Sequence, residues 1–191
     1  MNSGIQVVEK PDWVSWDEIK QCLVDAHATN RERGINMSHA QWSAEKIRDS
    51  IGANGVVLVA LDGRKVVGTA VLREKEGQIW YTSGRYAYMC FASVLPQYRG
   101  LGIYRELVCR REEIANSRGY PVLLIDTNEK NTRLRNIAKM QGYHEVDYRF
   151  WNDHFNVVMA KCPNGCHYSK YYCKFRYILS RIREYLRHII K

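Results

Sequence analysis

The stretch Val94-Leu95-Pro96-Gln97-Tyr98-Arg99-Gly100-Leu101-Gly102-Ile103-Tyr104-Arg105 contains the residue types of an anion site. Pro96 ends an apolar run, and Gly100 and Gly102 let backbone approach a ligand closely. A helical pattern opens at Ile103, so its unpaired N–H groups and positive dipole end face the loop. A pyrophosphate suits that turn, and so does the purely structural role of joining a strand to a helix. Two phenols nearby could carry a proton. Tyr88 shares one face of the preceding strand with Tyr86 and Cys90, and Tyr143, followed by His144, opens a later strand. Core packing is the alternative role for each. Glu74 and Glu76 read as solvated hairpin charges. Cys162 and Cys166 flank a Pro-Asn-Gly turn beside His167, with Cys173 further on, but C-x3-C-H lacks zinc-ligand spacing, and no metal is expected. Cys22, Cys90 and Cys109 fall within apolar patterns, as reduced core thiols do.

The elements that must position these groups follow from periodicity. Ile5–Val8 reads as a short strand. Ser15 to Glu18 is a capping box with Val14 and Ile19 as its hydrophobic staple, opening a helix that carries Ile19, Cys22, Leu23 and Ala26 on one face. A second capping box is read at Ser38–Gln41, stapled by Met37 and Trp42, with its helix running through Ile47 and Ile51 to Gly52. Val56–Leu61 and Val66–Leu72 around Asp62-Gly63 predict an antiparallel hairpin. Tyr86–Val94 is apolar on both faces, as in a central covered strand. A helix from Ile103 to Gly119 and the apolar run Val122–Ile125 complete a crossover unit whose two strands run parallel. A further helix spans Thr132–Gln141, and strands near 143–150 and 157–161 pair across Asn152-Asp153-His154. The expected class is an α/β fold with a mixed, α+β-type sheet.

The chain of 191 residues carries a formal charge of +9. From Cys162 onward, seven Lys and Arg face the single acid Glu184, so the tail holds about two-thirds of that excess. Tyr171, Phe175, Ile178, Ile182, Tyr185 and Ile189 recur at alternating spacings of four and three. Tyr172, Leu179, Leu186 and Ile190 widen the stripe, while Lys170, Lys174, Arg176, Arg181, Arg183, Arg187 and Lys191 lie mostly off it. This predicts a basic amphipathic helix. It could pack on the domain or on a partner in a homodimer, or lie at a membrane surface. Nucleic acid fits less well, since the apolar stripe is broader than phosphate tracking requires. No apolar run reaches membrane-spanning length and no signal-like segment opens the chain, so a cytoplasmic location is expected, at most peripheral to a membrane.

Gln97-x-x-Gly100-x-Gly102, after a central strand and before a helix, resembles the Q/R-x-x-G-x-G/A signature of the GNAT acyl-CoA N-acyltransferase superfamily. Asn131, the helix through Met140, and Gly142-Tyr143 resemble a second element of that family in order and spacing. The order of elements from Ile5 to Lys161 agrees, so the likeness covers most of the chain. It implies a GNAT-like domain over 1-161 with an added amphipathic tail over 162-191. It also implies acetyl-CoA as cosubstrate, in the gap between the strands ending at Val94 and Ile125. By the resemblance, Gln97 belongs to the cofactor loop. Backbone N–H groups of Arg99, Gly100, Leu101, Gly102, Ile103 and Tyr104 would hold the pyrophosphate, and Asn131 the pantetheine arm. The N–H near Val94 would polarise the thioester carbonyl and stabilise the oxyanion.

Many relatives carry a Tyr seven positions after the Asn, as proton donor to the leaving thiolate. This chain has Ala138 there, which leaves Tyr88 or Tyr143 as substitute acids. The implied reaction moves an acetyl group to an amine, which is about a thousandfold more protonated than free at neutral pH and so needs a base. Two other readings remain: a CoA-binding module without turnover, and an acetyltransferase acting at a membrane surface on a polysaccharide precursor. The acceptor, a small molecule or a peptide amine, would lie between the first two helices and the last hairpin. Asn30, Arg31, Glu32, Arg33, Trp42, Trp151, Asp153 and His154 fall in those regions.

Overall fold

The computed structural model describes residues 4–32, 34–35, 41–79, 82–151, 154–163 and 170–189. Seven strands form one mixed sheet in the order β1-β2-β3-β4-β5-β7-β6. They are β1 Ile5–Glu9, β2 Val56–Asp62, β3 Lys65–Ile79, β4 Thr82–Val94, β5 Leu123–Asn128, β6 His144–Trp151 and β7 His154–Lys161. The helices are α1 Trp16–Ala26, α2 Ala28–Glu32, α3 Ala44–Ile51, α4 Ile103–Ser117, α5 Thr132–Met140 and α6 Lys170–Ile189.

The capping box of α1 forms as expected. Ser15 accepts from the Glu18 N–H, Glu18 reaches back to the Ser15 N–H, and the staple residues Val14 and Ile19 are fully buried. The cap of α3 differs from the sequence expectation. Ser43 accepts from the Lys46 N–H and the helix begins at Ala44, after Gln41 and Trp42 rather than around them. Met37, Ser38, His39 and Ala40 lie outside the described residues. The β2–β3 hairpin also turns one residue later than expected: Asp62 pairs with Lys65, leaving Gly63-Arg64 as the two-residue loop, and the register slips at Ala60/Leu61. Both arms of the β3–β4 hairpin run well beyond the apolar cores that marked them.

Helices cover both faces of the central strands. On one face Thr69 Oγ1 and Ser93 Oγ lie 2.9 Å apart, and Cys22 of α1 approaches Ser93. On the other lies α4, packed so closely that a Cβ on Gly68 would stand 3.2 Å from Leu107 Cδ1. Leu58, Val67, Val71, Leu72, Leu107 and Leu123 are sealed in the core between these layers.

The predicted parallel pairing of β4 with β5 is present and short. Only Ala87↔Leu123 and Tyr88↔Leu124 are in register. Past them the strands part: β4 is bent by the left-handed Phe91 (φ 51°), while β5 turns to β7, from Leu123↔Lys161 to Asn128↔Asn156. The sheet therefore opens at its centre, beside the start of α4 and the start of α5.

Candidate functional site

A cleft of about 1010 Å³ lies at that opening. Its walls are the end of β4 at Ala92–Val94, the loop and first turns of α4, the start and one face of α5, and the end of α1 with α2. Among the described residues, Arg99, Arg105, Lys130, Arg133 and Lys161 line it against one carboxylate, Glu112, which already pairs with Lys161 at 2.7 Å. This surplus of cations suits a multiply charged anion.

The loop has the conformation an anion site requires. Pro96–Tyr98 make a 3-10 turn, Gly100 (φ 85°) and Gly102 (φ 82°) take the left-handed region, and α4 begins on Gly102 with no side-chain cap. A Cβ at either glycine would be strained there by backbone alone. The first N–H groups of α4 are thus left to the cleft with the dipole behind them. Of the sequence-expected set, Val94, Arg99, Gly100, Gly102, Ile103, Tyr104 and Asn131 line the cleft, whereas Gln97 and the exposed Leu101 do not.

Two of those residues do more than sequence suggested. The Arg99 guanidinium donates to the carbonyl oxygens of Ala26 at 2.6 Å and Val94 at 3.3 Å, locking the loop to the end of α1. Asn131 caps α5, accepting from the Leu134 N–H and donating to Thr127 Oγ1. His27, at the α1 terminus, also lines the cleft, with Nδ1 3.0 Å from the Asn30 amide. Burial first, then the Arg99 and Arg31 charges, push its pKa down to about 4, so the ring is neutral near pH 7.

Neither candidate phenol lines the cleft. Tyr143 is 2 % exposed, with Lys161 over its ring and Glu112 beside its hydroxyl; burial, then the Glu112 charge, drives its pKa far up. Tyr88 lies on the α1 face of the sheet and donates a short hydrogen bond to Asp126. Because Tyr88 sits in the last paired position of β4 and Asp126 two residues beyond the last pair of β5, this bond spans the root of the opening. Burial, reinforced by the Asp126 charge, raises the Tyr88 pKa well above its usual value and keeps it a neutral donor. On the same face stand Arg73, opposite Tyr88 in register, and Asn128. The Arg73 Nε and Asn128 Nδ2 donors are buried with no hydrogen-bond partner. Cys90, also there, is pushed up to about 12 by burial and stays a thiol.

Asp126 and its neighbours escaped sequence reading, since only the β4–β5 register brings them beside Tyr88. Of the other acceptor-side residues read from sequence, Asn30 lines the cleft. Arg31 donates to the Val24 carbonyl, Glu32 ends α2, and Trp42 meets Phe91 edge-on at 6.0 Å. Arg33, Asp153 and the side chains of Trp151 and His154 lie outside the described residues. Cys162 is disulfide-bonded, which its spacing did not foretell; Cys166, His167 and the side chain of Cys173 also lie outside. Among the described residues no group of three or more His, Cys, Asp or Glu could hold a metal.

A family model described as acetyltransferase (GNAT) family matches residues 16–143. No curated protein matches the chain. Several solved structures share its fold. The ribosomal-protein-S18-alanine N-acetyltransferase from Escherichia coli aligns with a TM-score of 0.65 at 15 % identity, over 85 % of this chain and 96 % of its own. An acetyltransferase from Streptococcus agalactiae 2603 gives 0.63 at 22 %, over 83 % and 98 %. PH1933 from Pyrococcus horikoshii OT3 gives 0.64 at 19 %, over 84 % and 99 %. At such identities the likeness speaks for the fold.

Proposed function

We propose that this chain, which belongs to the acetyltransferase (GNAT) family, transfers an acetyl group from acetyl-CoA to the amine of a polar acceptor. The carrying observation is the cleft at the parted strands, where an uncapped helix start meets five cationic side chains. Backbone N–H groups from Arg99 to Tyr104 would hold the pyrophosphate, and Asn131 would steady the pantetheine arm. The N–H near Val94 would polarise the carbonyl under attack. Bound there, acetyl-CoA supplies the acyl group as a thioester.

The protein's own part is to hold the acceptor and take its proton. Asp126 is the carboxylate at the root of the opening, on the face turned away from α4 and α5. It is partly exposed, so an ammonium can reach it. It would anchor the acceptor's ammonium and accept its proton, releasing a nitrogen able to attack. Tyr88 holds Asp126 in place by its hydroxyl and is the phenol that could return a proton on the thiolate side. Tyr143, enclosed with Glu112 and Lys161, serves the core in this reading. Ala138, at the family's usual tyrosine position, is buried and offers no proton. The unspent donors of Arg73 and Asn128 favour an amine that carries oxygen acceptors nearby.

The test is release of free thiol from acetyl-CoA across a panel of polar amines, with acetyl-CoA affinity measured in parallel. Turnover with at least one amine is expected, along with thermal stabilisation worth about 2.7 kcal/mol at a hundred times Kd. Tight binding with no thiol release across the panel would instead make the chain a CoA-binding module.

A further inference from the structure

The C-terminal helix α6 packs on the domain by its less apolar side. Tyr177 meets Tyr148 at a 52° tilt with ring centroids 4.3 Å apart, and Ser180 Oγ donates to the Tyr148 carbonyl at 2.9 Å. Arg181 lies over the Phe155 ring at 4.9 Å and pairs with Glu129 at 3.6 Å. Tyr177, Ser180 and Arg181 are spaced by three and one, so they form one side of the helix. Phe175, Ile178, Ile182, Tyr185 and Leu186 fall on the opposite side and are between 46 % and 68 % exposed. Five large apolar side chains in one stripe are more than scattered surface hydrophobics, and such a stripe is normally covered.

Charge decides what covers it. Lys174 and Arg183 are exposed and border the stripe, one on each side. The whole segment after Pro163 holds seven Lys and Arg and one acid. A second copy laid on this face would bring cation against cation. An anionic lipid surface offers both requirements at once: acyl chains for the stripe, and phosphate headgroups for flanking cations on long stems. Among the described residues no helix is long and apolar enough to cross a membrane, so the contact would be interfacial. We propose that α6 docks the protein on anionic membrane surfaces, with Phe175, Ile178, Ile182, Tyr185 and Leu186 inserted at the headgroup level. The Arg181–Glu129 pair ties this helix to the segment beside Lys130 and Asn131, so the bound surface would lie near one wall of the cleft. The inference is independent of the proposed acetyl transfer.

Co-sedimentation of the full chain tests it, using vesicles of phosphatidylcholine with about 30 % phosphatidylglycerol against pure phosphatidylcholine. Each cation near an anionic surface contributes about fivefold in partitioning, so Lys174 and Arg183 imply about a twenty-five-fold preference for the anionic vesicles, weakened by high salt. The double variant Ile178→Glu, Ile182→Glu alters only exposed positions, and should keep its thermal melt while losing at least about a hundredfold in vesicle binding. Absence of binding at low salt overturns the proposal. So does vesicle binding that the double variant retains. A concentration-dependent dimer in sedimentation velocity, lost in the variant and without vesicle binding, would assign the stripe to a second copy instead.

Discussion

Lowering the pH from about 7 to about 5 protonates an ordinary imidazole but leaves His27 neutral in the fold, and the difference is paid in stability. Burial, with the Arg99 and Arg31 charges behind it, brings the folded-state pKa from 6.5 to about 4. The unfolded chain therefore binds a proton first as the medium acidifies. The stabilising effect of the neutral ring is complete above pH 6.5, declines below it, and is gone once pH passes through about 4. Across the whole window the loss is about 3 kcal/mol, and at pH 5 it is about 2 kcal/mol. Urea unfolding of the wild type and of His27→Gln at both pH values isolates this share, because the other titrating groups cancel in the difference. Wild type should lose about 2 kcal/mol more than the variant between the two conditions. Equal losses would refute the reasoning. A further check is Arg99→Gln, which removes the larger of the two charge effects on His27 and should shrink the wild-type excess by raising the His27 pKa.

Three other outcomes follow from the site. Gly102→Val places a β-branched residue at φ 82°, costing about 1–2 kcal/mol in stability by urea titration, and should weaken acetyl-CoA by about tenfold or more in calorimetry. Unchanged affinity would disconnect the α4 start from the ligand. Asp126→Asn should lower kcat by about 10²–10⁴ while acetyl-CoA affinity stays within about twofold. A near-wild-type kcat removes Asp126 as the base. Tyr88→Phe should lower kcat and change the pH profile, whereas Tyr143→Phe should mainly lower Tm. If Phe at both positions left turnover and its pH profile untouched, no phenol would serve as acid.

Local signals carried most of the fold into view. The Ser15 box, the β2–β3 hairpin and the Pro96–Gly102 turn are each set by a few neighbouring residues, and the structure has them at or within a residue of the expected place. Two serines, Ser38 and Ser43, precede the apolar pattern of α3, and Ser43 is the one that caps the helix beginning at Ala44. What stayed hidden is non-local. Asp126 falls just past the apolar run Val122–Ile125, and only the β4–β5 register sets it beside Tyr88. Arg99 was assigned for its backbone, while its side chain reaches Ala26, seventy-three residues away in sequence. The periodicity of α6 was legible, but helical spacing cannot say which face meets β6, and the less apolar one does.

The two residue pairs that join β4 to β5 also divide the molecule mechanically. On one side stands a four-stranded antiparallel block, on the other a three-stranded block in which β7 fills the space between β5 and β6. A seam so thin gives way at lower free energy than either block, so amide hydrogens near Tyr88 and Leu124 should exchange by local opening while those of Leu58 and Val71 wait for global unfolding. A ligand seated at the seam would bridge the blocks and slow that exchange. The opening in the sheet would then act as a hinge whose stiffness is set by what occupies it.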